Sequence, residues 1–221
     1  MWYLKNALTR KNLMALTGLF LSFFLIIHLV GNLQLLLPEA EAQLQYNWYS
    51  RLLADNIFIK IIAMVLYLCI LLHTIDAIYL TIKSKKAQGA GYAKDKRGRA
   101  SKWYARNMMF LGSIVFLFLV IHFKDFWYQF KFGEMPLDAN GNKDLYTLVV
   151  EAFDQLWYVI LYVIAIIALG YHLLHGVFSA HRTLGLYHPL YSKIVKYLGI
   201  IYTVIMTIGY IIIPIFIYLN R

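Results

Sequence analysis

Four histidines lie inside four different apolar stretches of the chain: His28, His73, His122 and His172, with His175 one turn beyond the last. The neutral imidazole ring is the commonest protein metal ligand. Within an apolar stretch an ionisable side chain is costly to keep, and it marks a functional site by default. The chemistry open to these residues is therefore metal ligation, proton transfer, or a hydrogen bond to a neighbouring helix. For any one ring the hydrogen bond is as good an account as the metal. Asp76, three residues after His73, adds a carboxyl group that reads either as a proton carrier or as a residue paired with Lys or His.

The elements that must position these rings are five long apolar stretches, roughly residues 12–37, 57–82, 107–130, 155–180 and 195–219. The chain is 61% hydrophobic and 14% charged, with a mean hydropathy of +0.61, which excludes an ordinary soluble domain. Each stretch reaches the ~20 residues that cross a ~30 Å hydrocarbon core. Helices are expected, because a helix satisfies its own backbone in lipid. The expected fold class is an all-α integral membrane protein, a single transmembrane domain over residues 1–221 whose first four helices form a bundle. The first stretch is too long for a signal peptide and lacks an A-x-A-like cleavage site, so the mature protein is expected to keep it.

Charge sets the expected orientation. Between Lys83 and Arg106 stand nine Lys or Arg against one acid, Asp95. With Lys5, Arg10, Lys11, Arg182, Lys193 and Lys196, fifteen of the 21 basic residues fall on one side. Glu39, Glu41, Asp55, Glu134, Asp138, Glu151 and Asp154 are among the nine of 11 acids on the other. The positive-inside rule then puts the N-terminus in the cytoplasm and the C-terminus outside. The net charge of +10 thus reflects topology, and nucleic acid is not an expected partner, since the basic residues cluster between spans. Ala87–Arg99 reads as a flexible loop, Asn140-Gly141-Asn142 as a turn, and residues 40–54 as a short interfacial helix with Trp48 and Tyr49 at headgroup level.

At 1.5 Å per residue, His28 lies about 25 Å past Lys11, and His122 about 24 Å past Arg106. On the helices that run the other way, His73 and His172 each precede a basic residue (Lys83, Arg182) by about 15 Å. His28 is therefore level with His122, and His73 with His172. Each pair joins alternate helices, which in a four-helix bundle can face one another across a cofactor site. Gly18 and Gly112 precede His28 and His122 by the same ten residues, leaving room for a bulky ring or for close helix packing.

A metal site built from protein alone takes three or four ligands, and each level offers two. Haem supplies four equatorial nitrogens and leaves two axial positions. Two imidazoles per level match a six-coordinate b-type haem, and the absence of C-x-x-C-H excludes covalent attachment. Cys69 is the lone cysteine, so neither a disulfide nor a thiolate cluster is expected. His172 fits the level of His73 better than His175, which stays as the alternative ligand or as a contact to a haem propionate or a quinone. His181 and His188 lie at or beyond the end of the fourth stretch and read as solvated or interfacial.

The string Thr17-Gly18-Leu19-Phe20-Leu21-Ser22-Phe23-Phe24-Leu25-Ile26-Ile27-His28 resembles the first helix of the dihaem cytochrome b membrane subunit of succinate:quinone oxidoreductases, the succinate dehydrogenases and fumarate reductases. The remaining stretches are similar to that family in histidine placement, with none in the fifth. The resemblance implies a distal haem held by His28 and His122 and a proximal haem held by His73 and His172 or His175. It implies a flavoprotein subunit carrying FAD and an iron–sulfur subunit as partners, and electron transfer to or from a quinone, menaquinone in the first instance. It places the chain in the bacterial cytoplasmic membrane, in contact with lipid, in complexes that can pair as dimers. The basic segment Lys83–Arg106 and the turn around Arg182–Lys196 would dock the iron–sulfur protein. Some members carry a glutamate near the outer end of helix two for quinol proton transfer. The nearest acids on that side here are Glu39, Glu41 and Asp55, and no catalytic residue is assigned.

Three other classes compete. The cytochrome b subunit of a hydrogenase or formate dehydrogenase would copurify with nickel or molybdenum. A membrane di-iron desaturase would need more clustered histidines than His172, His175 and His181 provide. A cofactor-free transporter is disfavoured by the absence of repeats and broken helices.

Overall fold

Apolar runs of this length have no water to satisfy their peptide groups, and they fold as helices. The computed structural model describes residues 6–88, 102–186 and 188–220. Helix α1 (Ala7–Asn32) starts where the Asn6 side chain accepts the Leu8 N–H at 3.0 Å, and it runs into a 3-10 turn, Leu33–Leu36. α2 (Glu39–Asp55) follows Pro38, and α3 (Ile57–Gln88) follows Asn56. One turn at Trp103–Arg106 leads to α4 (Met108–His122), which continues through a π-helical stretch, Phe123–Tyr128, into Gln129–Phe132. α5 (Leu145–Phe153), α6 (Leu156–Thr183) and α7 (Pro189–Leu219) complete the order. Among the described residues, five helices are long and apolar enough to cross a membrane: α1, α3, α4 with its continuation, α6 and α7. This is the pattern of a multi-pass membrane protein.

Helix α6 holds the centre. It packs against α1, α4 and α7, while α3 packs chiefly on α1 and touches α4 only briefly. One link across that seam is the Trp127 indole N–H, which donates to the Tyr67 hydroxyl at 2.7 Å. Around the bundle the order is α3, α1, α6, α4, so α1 lies diagonally opposite α4 and α3 opposite α6. Small residues on α6 let its neighbours approach: Ala165, Ala168 and Ala180 are buried, and a methyl group on Gly170 would sit 2.5 Å from Thr207 Oγ1 of α7. On α7, the Tyr202 and Tyr210 hydroxyls each donate at 2.7 Å to α1 carbonyls, those of Ser22 and Leu25. Helix α3 leaves Ile57, Phe58, Ile61, Met64, Leu68 and Leu71 exposed, as a helix bathed in hydrocarbon would.

Residues 131–154, between the third and fourth apolar stretches, are more ordered than their polar composition suggests. α5 packs against α2 and, with it, caps one end of the bundle. Asn47 of α2 is 1% exposed; its amide donates to Asp144 at 2.9 Å and accepts the Tyr146 N–H at 2.9 Å. Asp144 also caps α5 through the Thr147 N–H at 3.2 Å. The expected turn is present: Gly141 has φ +73, and Leu137 bridges to Lys143.

Several element bounds differ from the sequence reading. α7 begins at Pro189 rather than near 195, because His188 caps it and Pro189 occupies the first turn, where a missing N–H costs nothing. α3 continues past residue 82 to Gln88; Lys83, Lys85 and Lys86 end the apolar run but are good helix formers. The expected loop at 87–99 is therefore helical at its first two residues, and its remainder lies outside the described residues, as does Lys5. The expected helix at 40–54 is α2, but its two aromatic residues differ: Trp48 is exposed, whereas Tyr49 turns inward against Gly31.

Candidate functional site

The diagonal order of the helices brings the histidines together in two pairs. His28 of α1 and His122 of α4 have ring centroids 5.8 Å apart. His73 of α3 and His172 of α6 have centroids 6.2 Å apart. A metal–imidazole bond of about 2.0 Å, plus about 1.1 Å from nitrogen to ring centre, puts two imidazoles trans across one metal roughly 6 Å apart. His175, one turn beyond His172, turns its ring toward Tyr104, 6.5 Å away.

The pair nearer the capped end sits in an aromatic wall. His28 stacks on Phe24 at 5.3 Å and 18°, with Tyr210 of α7 at 6.0 Å. His122 is flanked by Phe118, Phe126 and Tyr162. The two rings differ in what their Nδ1 atoms meet. His122 Nδ1 lies 3.2 Å from the Tyr162 hydroxyl, which is 3.2 Å from the Tyr158 hydroxyl, and Tyr158 donates to Asp125 Oδ2 at 3.0 Å. His28 Nδ1 lies 3.4 Å from the Asn32 amide nitrogen, a longer contact, and that amide donates to the His28 carbonyl at 2.7 Å.

The second pair is built on glycines. A methyl group on Gly18 of α1 would lie 3.2 Å from His73 Cε1, and one on Gly112 of α4 would lie 3.6 Å from His172 Cε1. Gly18 thus makes room for a ring of the pair nearer the N-terminus of α1, on a neighbouring helix, whereas a methyl group on Gly112 would make only ordinary contact with His172. The sequence pattern had tied these glycines to His28 and His122. Thr17 orients His73: its hydroxyl can donate to the Leu13 carbonyl at 2.9 Å, and its oxygen lies 3.2 Å from His73 Nδ1. A hydroxyl whose proton is already committed accepts from Nδ1–H, and that leaves Nε2 as the unprotonated, ligating nitrogen. His172 Nδ1 is buried and has no hydrogen-bond partner among the described residues.

Asp76 is buried near this second pair, and its partner is Arg10 rather than a Lys or His. The Arg10 guanidinium also lies 4.1 Å above the Tyr79 ring. His181, expected to be solvated or interfacial, is half-buried: it packs against Tyr191 at 5.9 Å, with Nε2 buried. His188 is exposed, and its Nδ1 accepts the Leu190 N–H at 3.3 Å. Beyond the membrane-spanning helices, burial pushes Asp144 up, but the hydrogen bonds from Asn47, Thr147 and Gln43 outweigh it and hold the carboxyl below its ordinary value. Burial pushes the Tyr46 hydroxyl up, so it remains a donor, here to Asn32 Oδ1 at 3.2 Å.

Sequence reasoning missed Tyr158, Tyr162, Asp125 and Thr17. The i,i+4 spacing of Tyr158 and Tyr162 on one helix was the available signal for two of them. Asp125 was hidden because it stands at the end of the third apolar run, beside Lys124.

No group of three or more His, Cys, Asp or Glu placed to hold a metal ion occurs among the described residues. Paired imidazoles at roughly the trans separation and the room that Gly18 leaves beside His73 are the features a bis-imidazole haem would use. No protein-family model, curated protein or solved structure matches the chain.

Proposed function

We propose that this chain is the dihaem cytochrome b membrane subunit of a succinate:quinone oxidoreductase, a succinate dehydrogenase or fumarate reductase. The observation that carries the proposal is the pairing of His28 with His122 and of His73 with His172 at two levels of one bundle. The helix-one string ending in His28 supports the family. His28 and His122 would hold a distal haem, and His73 and His172 a proximal one. A b-type haem, when bound, supplies one-electron transfer at its iron.

The residues of this chain do the rest. The four imidazoles bind through one nitrogen each, and Thr17 holds His73 in the tautomer that leaves Nε2 free. Gly18 keeps a side chain out of the space beside His73. Lipid-facing Ile, Leu and Phe on α3 and α7 exclude water and keep the local dielectric low. FAD and iron–sulfur clusters belong to partner subunits, a flavoprotein and an iron–sulfur protein, with menaquinone as the membrane substrate. The end carrying Arg10, Lys83, Lys85, Lys86 and Arg182 would be cytoplasmic by the positive-inside rule and would receive the iron–sulfur subunit. The setting is the cytoplasmic membrane of a bacterium.

The test is a haem-to-protein ratio and a reduced-minus-oxidised spectrum on the purified complex. Two haems per chain, a b-type α band and copurifying flavin with succinate-dependent dye reduction are expected. A colourless preparation, or one haem per chain, refutes the assignment; nickel or molybdenum in place of flavin moves it to another oxidoreductase class.

A further inference from the structure

The chain of hydrogen bonds behind His122 has a direction fixed by its far end. An ionised carboxylate only accepts, so Tyr158 must give its proton to Asp125, at 3.0 Å. Its oxygen is then left to accept from Tyr162, at 3.2 Å. The Tyr162 proton is spent in turn, and its oxygen can only accept from His122 Nδ1–H, again at 3.2 Å. One acidic residue thereby dictates the tautomer of an imidazole two tyrosines away.

The surroundings hold this arrangement firmly. Tyr158 is 4% exposed and Tyr162 5%, wedged among Phe118, Phe126 and Phe153. Aligned hydrogen bonds in a low dielectric polarise one another. Asp125 lies in the π-helical stretch Phe123–Tyr128, a backbone form that recurs at functional sites. Its side chain is 28% exposed, and Lys124 Nζ approaches it at 3.2 Å. Behind His28, the partner ring, Nδ1 meets the Asn32 amide nitrogen at 3.4 Å and that amide's oxygen accepts from the Tyr46 hydroxyl, contacts that lead to no carboxylate among the described residues.

We infer that Tyr162, Tyr158 and Asp125 are positioning residues that fix His122 with Nε2 unprotonated and draw its Nδ1 proton outward, making it the more electron-donating ligand of the distal pair. The inference rests on the dihaem reading above. A ligand pushed toward imidazolate favours ferric iron, so the distal haem would have a lower midpoint potential than the same site without this chain.

The test is a redox titration of the purified complex, following separately the haem signal that His122→Ala removes. Tyr162→Phe is expected to keep both haems and to raise the potential of that one signal. The ratio of oxidised to reduced haem at a fixed poise should fall about tenfold, 59 mV for a one-electron couple. Asp125→Asn should shift it the same way by less, and Asp125→Glu should restore it. The proximal haem should not move. Haem present in full with an unshifted distal potential in Tyr162→Phe overturns the inference alone. Should Tyr162→Phe fail to assemble, Asp125→Asn carries the same decision from a partly exposed position. Wild-type complex without haem overturns the dihaem reading, and this inference with it.

Discussion

Removing either partner of the Arg10–Asp76 pair should not cost the same. The Asp76 side chain is 4% exposed and that of Arg10 20%. Arg10→Met strands a buried carboxylate that already has one oxygen without a hydrogen-bond partner among the described residues, and it also removes the stacking on Tyr79. Breaking a buried pair in this way costs about 3–5 kcal/mol. Asp76→Asn leaves a side chain that can still accept a hydrogen bond. The guanidinium keeps Tyr79, and its long stem can carry the charge to the nearby interface. About 1–2 kcal/mol is expected for that loss. A difference of about 2 kcal/mol is a factor of up to about 30 in the folded-to-unfolded ratio. The assay is equilibrium unfolding of the purified chain in mixed micelles with rising denaturing detergent, followed by tryptophan fluorescence. Arg10→Met/Asp76→Leu should recover most of the loss of Arg10→Met, since no charge is left stranded. Asp76→Asn costing as much as Arg10→Met, or a double variant no better than Arg10→Met, would refute the reasoning.

Three further outcomes are expected. Gly18→Leu should displace His73, because even a methyl group there would approach Cε1 to 3.2 Å; haem content should fall by half while Gly18→Ala retains most of it. His172→Ala should remove one haem and His175→Ala should not, read from the pyridine haemochrome; the reverse pattern would transfer the ligand role to His175. Asp144 has a folded pKa below its ordinary value of 3.8, so its contribution to the cap is fully present above that value and is lost as pH falls through the folded one. Hydrogen exchange at the Tyr146 and Thr147 amides should accelerate only in that acid range, and Asp144→Asn should abolish the change.

The five spanning helices were readable because lipid imposes one rule on every long apolar run. The histidine pairs were readable because a constant rise per residue turns sequence separation into depth, and the rings that met are those at equal depth. Other features depend on which faces meet, and no local pattern carries that. Asp76 took Arg10, 66 residues away, over any neighbour on its own helix. Gly18 serves a ring on the adjacent helix rather than the one on its own. The cap was missed because α5 has only nine residues, and its stability comes from Asn47, a long-range partner. The start of α7 was misplaced because Ser192, Lys193 and Lys196 interrupt the apolar run without interrupting the helix.

The diagonal arrangement also bears on biogenesis. Each imidazole pair takes one ring from α1 or α3 and the other from α4 or α6, so a nascent chain that has emerged only as far as α3 contains half of both sites and the whole of neither. The first two spans must reside in the bilayer with His28 and His73 unmatched until the later spans are inserted beside them. Translation arrested before residue 122 would yield a fragment with no completed pair. Were the proposed haems bound, their insertion would act as a late clasp, joining the early half of the polypeptide to the late half.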